Sequence, residues 1–271
     1  MKECIYRKFI LNGKVVDCDH FHPSLINEGI SLYEVIRVIN GQYLFAEDHI
    51  ERLKNSARLA RLDLWHSGVE ITGIIHLLPQ LNHTTKGNVK IVFNFLDSKQ
   101  NHFLAYFVPH RYPELIDYQN GIKVITYPFI REDPNKKIWR PDFRARVHDT
   151  IRRENVFEVL LVDEYGFITE ASKANFFTIR NGTVFTPPVA KVLPGITRKY
   201  VLRICKKQNI PFVEEEIHKD DLKTFDAVFL TGTSPGVLPI SVIDRLKFGV
   251  KDPLLRMLMS QFEKLVEEYL V

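Results

Sequence analysis

A chain of 271 residues, 45% of them hydrophobic, can bury one large core or two ordinary ones, and its formal net charge of +4 comes without the concentrated basic tract of a nucleic-acid binder. The cysteines Cys4, Cys18 and Cys205 are odd in number and scattered, which predicts a reducing compartment and no disulfide framework. No apolar run reaches membrane-spanning length and the start Met1-Lys2-Glu3-Cys4 lacks a signal-peptide pattern, so a cytoplasmic globular protein with no membrane partner is expected.

The chain opens as a meander. Ile5–Leu11 and Lys14–Val16 flank Asn12-Gly13, a two-residue turn that favours a hairpin. The same signal recurs at Asn40-Gly41, between Tyr33–Ile39 and Gln42–Phe45, and at Asn181-Gly182, between Phe176–Ile179 and Thr183–Phe185. Asp48–Leu62 switches to helical spacing, with Ile50, Leu53, Ala57 and Ala60 on one face, and a second helix over Val69–Leu78 is expected to stop before Pro79. Lys90–Leu96 and His102–Val108 are predicted as a strand pair joined by a polar turn. The irregular stretch Pro109–Asn120 then marks a boundary between two domains, 1–118 and 119–271. Beyond it come the strand Ile122–Tyr127, a helix over Phe143–Val156 and the hairpin Val159–Val162 with Phe167–Thr169. A helix from Thr197 to Asn209, a buried strand Asp226–Leu230 and a C-terminal helix Pro253–Leu270 complete an α+β protein.

Several residues carry chemistry. Glu170 follows the apolar strand Phe167–Thr169, and a carboxylate at the end of a buried strand is costly unless it is paired or used. Leu193-Pro194-Gly195-Ile196-Thr197-Arg198 delivers the chain into a helix whose first N–H groups can bind an anion. Thr231-Gly232-Thr233-Ser234-Pro235 follows a buried strand and can donate hydroxyl and amide bonds. Arg52, on the first helix, can place a guanidinium on a phosphate. On the strand Leu32–Ile39, Tyr33, Val35 and Arg37 share one face and Glu34, Ile36 and Val38 the other. Cys18, His20 and His22 alternate as they would on a strand, but match no closed zinc pattern, so a polar strand and no metal is the expectation. The basic run Lys136-Lys137-Ile138-Trp139-Arg140 is too short and isolated for a nucleic-acid patch.

Taken in order, Leu32–Val38, His49–Leu53, Glu158–Phe177, Leu193–Arg198 and Phe229–Pro239 resemble the class IV, or fold-type IV, aminotransferases that use pyridoxal 5'-phosphate (PLP). That family includes branched-chain aminotransferases, D-amino-acid aminotransferases and aminodeoxychorismate lyases. The resemblance implies a smaller N-terminal α/β domain, a larger C-terminal pseudo-barrel domain and a homodimer. It also implies that an amino acid and a 2-oxo acid are the small-molecule partners. By the same resemblance Lys137 holds PLP, with Lys136 as the competitor one residue away. A free lysine titrates near ~10.4, so its amine must be made neutral to attack. Glu170 matches the glutamate at the pyridine nitrogen, Arg52, Ile196, Thr197 and Thr233 the phosphate site, and Leu193 the residue packed on the ring. Tyr33 and Arg37 fall on the strand lining the substrate pocket. Two departures stand out. The tyrosine that many members carry a few residues after the lysine is replaced by Ile138-Trp139-Arg140-Pro141-Asp142-Phe143, and the strand Lys90–Leu96 offers Asn94 and Phe95 where D-amino-acid aminotransferases carry an arginine. A lyase releasing pyruvate, and a PLP-binding homologue without catalysis, are the alternative expectations.

Overall fold

Each Asn-Gly pair reverses the chain with both residues at positive φ: Asn12 and Gly13 (50° and 77°), Asn40 and Gly41 (51° and 81°), Asn181 and Gly182 (50° and 72°). Turns of this hand match the twist of paired strands, so three hairpins follow directly from six residues. The computed structural model describes residues 3–96 and 100–271. Met1-Lys2 and part of the polar turn expected after Leu96 lie outside the described residues. The chain forms two compact units, Met1–Arg111 with Lys136–Pro141 and Tyr269–Val271, and Tyr112–Asn135 with Asp142–Glu268.

The first unit contains β1 (Lys8–Leu11), β2 (Lys14–Asp17), α1 (Ser24–Asn27), β3 (Ile30–Ile39), β4 (Gln42–Tyr43), α2 (Ala46–Ala60), α3 (Gly68–Ile75), α4 (Leu77–Leu81), β5 (Gly87–Phe95) and β6 (His102–Val108). Its sheet is antiparallel with strand order β2-β1-β6-β5-β3-β4. β3 is its hub, paired to β5 from Ile30↔Phe95 to Val38↔Gly87. The alternation expected on β3 holds. Leu32, Ile36 and Val38 pack with Leu53 of α2 and Ile75 of α3, whereas Tyr33 packs on the other face with Phe9, Leu104 and Tyr106.

Three local elements differ from the sequence-based expectation. The helix expected to end before Pro79 is two helices. Ser67 and Glu70 form a capping box that starts α3, and Pro79 sits inside α4, in a first turn where a missing N–H costs little. Cys18–His20 is a 3₁₀ turn rather than a strand. Cys18 is bonded to Cys4, with Cα atoms 6.0 Å apart, against the expectation of no disulfide. The β1–β2 hairpin brings the two together: Cys18 N donates to Arg7 O, returning the chain beside the segment that carries Cys4.

The second unit contains α5 (Leu115–Asn120), β7 (Ile122–Pro128), α6 (Pro141–Glu154, all but Pro141 in this unit), β8 (Glu158–Val162), β9 (Phe167–Ala171), β10 (Asn175–Arg180), β11 (Thr183–Thr186), α7 (Ile196–Lys207), β12 (Phe212–Glu214), β13 (Ile217–His218), β14 (Ala227–Gly232), β15 (Gly236–Ile243), β16 (Leu246–Lys247) and α8 (Pro253–Tyr269). Its ten-stranded sheet runs β12-β11-β10-β14-β15-β7-β8-β9-β13, with β16 on β15. It is mixed, because β7 pairs parallel to both β8 and β15. β9 runs on to Ala171, so Glu170 is a residue within a strand rather than one following it. Pairing with β8 through Leu160↔Ala171 carries the strand past this carboxylate.

Candidate active site

In the first unit the segment Lys136–Pro141 covers the edge of β3 beyond its short pairing with β4. Tyr33 N donates to Lys137 O (3.1 Å), Trp139 N donates to Ser31 O (2.8 Å), and Leu32 and Ile138 form a bridge. An open strand edge offers unpaired donors and acceptors, and this segment takes them up. Lys137 is anchored again where its N–H donates to Ser56 Oγ on α2 (3.2 Å). Its Nζ lies 4.8 Å from the centre of the Tyr33 ring. Arg37 is half-buried on the same face of β3 as Tyr33.

Arg52 is buried on α2 and gripped by Glu34 of β3, with Nε to Oε1 at 2.7 Å and Nη2 to Oε2 at 2.6 Å. His49 Nδ1 is 2.8 Å from the same Oε2. Burial alone would raise the Glu34 carboxyl, but the Arg52 charge and the hydrogen bonds from Arg52 and His49 outweigh it and hold it well below the usual carboxylate range. Burial pushes His49 down, against the pull of Glu34, and the Arg52 and Lys137 charges lower it further. The guanidinium is therefore oriented by a carboxylate that stays ionised.

In the second unit Glu170, 3% exposed, lies 2.7 Å from Arg131 Nε and accepts a hydrogen bond from Leu193 N (3.2 Å). Arg131 and Arg144 both donate to Ser172 O, and Ser172 Oγ donates to the buried Glu158. Leu193 leads directly to α7, whose N-cap is Gly195 with no side-chain cap. The first N–H groups of α7, including those of Ile196 and Thr197, have no partner within the helix. Asn175 Nδ2 donates to Leu193 O (2.9 Å), and a Cβ on Gly195 would collide with Asn175 Oδ1. Asn175 is paired across the sheet with Thr231, so the end of β14 and the Thr233 turn lie beside the strand that holds the Leu193–Gly195 bend. Thr231 Oγ1 is buried without a partner among the described residues. Arg198, by contrast, is committed to Glu214 (2.9 Å) and to Pro187 O (3.1 Å).

The structure thus gathers Glu170, Leu193, Ile196 and Thr197 in one unit and Lys137, Tyr33 and Arg52 in the other. Arg131, Asn175 and Glu34 escaped the sequence reading. The hydrophobic context of Glu34 on β3 was a signal that could have flagged it, whereas Arg131 and Asn175 act only through the fold. Asn94 is structural, donating to Glu28 O and Ser31 Oγ. Among the described residues no cluster of His, Cys, Asp or Glu could hold a metal ion, and no helix is long and apolar enough to cross a membrane.

These features fit PLP. A buried carboxylate suits a ring N–H, an uncapped helix start suits a phosphate, and a glycine with no room for a Cβ marks a closely packed bend. The family model for class IV aminotransferases matches residues 31–243. A D-alanine aminotransferase of Bacillus licheniformis is 27% identical over 261 residues, covering 91% of this chain and 92% of that one. The branched-chain amino acid aminotransferase of Escherichia coli superposes with a TM-score of 0.85 at 22% identity, over 97% of this chain and 95% of that one. A candidate 4-amino-4-deoxychorismate lyase of Legionella pneumophila superposes with a TM-score of 0.78 at 23% identity, over 91% and 97% of the two chains. With the fold, the ordered motifs and the family match in agreement, the chain belongs to the class IV aminotransferases, a family of PLP-dependent enzymes.

Proposed function

We propose that this protein moves an amino group between an amino acid and a 2-oxo acid, with branched-chain or D-amino acids as donors, and that Lys137 is the residue that holds PLP. The observation that carries the reading is Glu170, a buried carboxylate braced by Arg131 and the Leu193 N–H immediately before an uncapped helix N-terminus. PLP, when bound, supplies an electron-accepting ring that eases loss of the substrate Cα proton. Lys137 Nζ takes that proton from Cα and returns it. Glu170 contributes a fixed negative charge, which Arg131 orients. The N–H groups of Ile196 and Thr197, the Thr233 hydroxyl and the Arg52 guanidinium bind the phosphate, and Leu193 offers an apolar surface to the ring. Tyr33 and Arg37 line the substrate side.

The direction of the Lys137 side chain, toward Tyr33, supports it over Lys136. The D-alanine aminotransferase relative supports transfer to or from a D-amino acid, and the branched-chain fold neighbour supports the second donor class. The lyase reading draws on the Legionella fold neighbour, and pyruvate released without any amino acceptor would establish it instead. We further infer a homodimer, on the family resemblance.

The test is spectroscopic. Wild-type protein with PLP should show a visible absorption band that Lys137→Ala abolishes and Lys136→Ala keeps. The band should shift when the correct amino acid, from a panel of L- and D-enantiomers, donates its amino group. Turnover in Lys137→Ala should fall by at least ~10²–10⁴-fold, the usual worth of a positioned acid–base group. A wild-type protein that stays colourless with PLP would overturn the proposal.

A further inference from the structure

The segment that brings Lys137 to β3 pairs with that strand, so its side chains alternate between the two faces of the sheet. Ile138 packs on one face, in the core that holds Leu32 and Ile36. Lys137 and Trp139 take the other, where Trp139 packs with Tyr33 and Tyr106. The Trp139 and Tyr33 rings meet edge to face, with centroids 5.6 Å apart and planes at 84°. Lys137 Nζ lies 4.8 Å from the centre of the same Tyr33 ring. Tyr33 is 4% exposed, whereas Trp139 is only partly buried. The ring that Lys137 approaches is thus enclosed by its neighbours, and Trp139 is one of them.

Trp139 is itself held from three directions. Its backbone N–H donates to Ser31 O, and the Lys90 ammonium, paired with Glu3, lies 3.2 Å from the centre of its ring. Its Nε1 donates to Asn27 Oδ1 at 2.9 Å. Asn27 is the exposed last residue of α1 and takes no part in the chemistry above. The end of α1 is fixed without it. Ile26 is buried and its carbonyl accepts from Ser31 Oγ (2.8 Å), and Asn94 Nδ2 donates to Glu28 O. An indole N–H only donates, and the torsion that turns an aromatic ring is soft, so the acceptor decides which way the ring stands. A surface side chain therefore sets the direction of a ring two residues after Lys137.

We propose that Trp139 is a positioning residue for Lys137, acting through the Tyr33 ring, and that Asn27 is the anchor of its indole. The proposal rests on the aminotransferase reading, in which Lys137 Nζ takes and returns the Cα proton. Proton transfer tolerates little misplacement of the amine, so a loosened indole slows the step. An interaction that acts in that step is lost from kcat and kcat/KM together and leaves KM in place.

The test removes one hydrogen bond from either end. Asn27→Ala deletes the acceptor, Trp139→Phe deletes the donor, and Asn27→Asp keeps an acceptor oxygen. Asn27→Ala and Trp139→Phe should each lower kcat about three- to tenfold, with KM held within about twofold. The double variant should be no slower than Trp139→Phe, because both changes break the same bond. Asn27→Asp should keep most of the wild-type kcat. A second readout does not use activity. Trp139 is one of two tryptophans, so in a Trp65→Phe background it is the sole emitter. Acrylamide quenching of that emission, with and without PLP, should rise about twofold on Asn27→Ala and hold on Asn27→Asp, as expected when a partly exposed ring loses its one side-chain hydrogen bond. Asn27 is exposed, so its variants remain a test even if Trp139→Phe does not fold. A merely structural Trp139 would lower the melting temperature and leave kcat alone. Unchanged kcat or unchanged quenching in Asn27→Ala, or additive losses in the double variant, overturns the proposal. The visible cofactor band separates the two levels: a coloured protein with unchanged kcat in Asn27→Ala refutes the positioning role alone, and a colourless wild type refutes the aminotransferase reading beneath it.

Discussion

Arg131 and Glu170 are both largely buried, with side-chain exposures of 10% and 4%. Removing one member of such a pair strands the other charge, whereas removing both does not. Arg131→Met should therefore destabilise the protein by roughly 3–5 kcal/mol, and Arg131→Met with Glu170→Gln should recover most of that loss in thermal unfolding. Glu170→Gln alone should cut turnover by about 10²–10³-fold, the scale of a lost electrostatic stabiliser, while the cofactor band persists. The Glu34–His49–Arg52 group makes a pH prediction. His49 is held below its ordinary 6.5, so the neutral ring that folding favours contributes stability above that pH, and the contribution is lost as pH falls below it. Glu34 is held below its ordinary 4.5, so its contribution is present above that value and is lost at still lower pH. The urea midpoint should fall as pH drops from 7 to 5 in the wild type, and His49→Gln should flatten that slope. Glu34 was legible in the sequence only as a residue on the opposite face of β3 from Tyr33. Its partners on α2 come from 15 and 18 positions away, a distance that strand periodicity does not bridge.

At the scale of elements, the bend into α7 is built by close approach rather than by unusual dihedrals. Gly195 has φ of −65°, which any residue adopts, yet Asn175 Oδ1 leaves no room for a Cβ. Gly195→Ala should cost roughly 1–3 kcal/mol by overpacking and weaken PLP affinity, as read from the melting temperature and a PLP titration. The Asn-Gly turns are the opposite case. Their requirement is local backbone geometry, and nothing lies within 4 Å of a Cβ built on Gly13, Gly41 or Gly182. Local requirements are visible in a sequence, and this is why all three hairpins were legible. The ends of α3 and β9 were not. Pro79 is tolerated because of where a second helix begins, and β9 extends to Ala171 because β8 pairs with it, through Leu160↔Ala171. The Cys4–Cys18 bond likewise depends on the β1–β2 hairpin, and it removes the cysteine-based argument for a reducing compartment.

For the whole molecule, the family resemblance leads to the expectation of a homodimer, so sedimentation should give twice the chain mass of 31.6 kDa. A monomeric species with full activity would refute that expectation. The sequence placed the domain boundary at residue 118, inside what is α5, whereas the compact units exchange Lys136–Pro141. No composition shift marks that exchange, because it is made by backbone hydrogen bonds along the edge of β3. The sequence by itself determined the α+β class, the turn positions, the family and the ordered motifs, since each depends on neighbours within a few residues or on the order of short segments along the chain. Only the tertiary structure decided that Glu170 answers to Arg131, that Glu34 aims Arg52, that Asn175 leaves Gly195 no alternative, and that Lys90 shares a ring with Lys137. Each of these joins residues 15 or more positions apart. Burial makes such pairs matter, because a charge or a close contact removed from water must be met by whatever group the fold brings beside it.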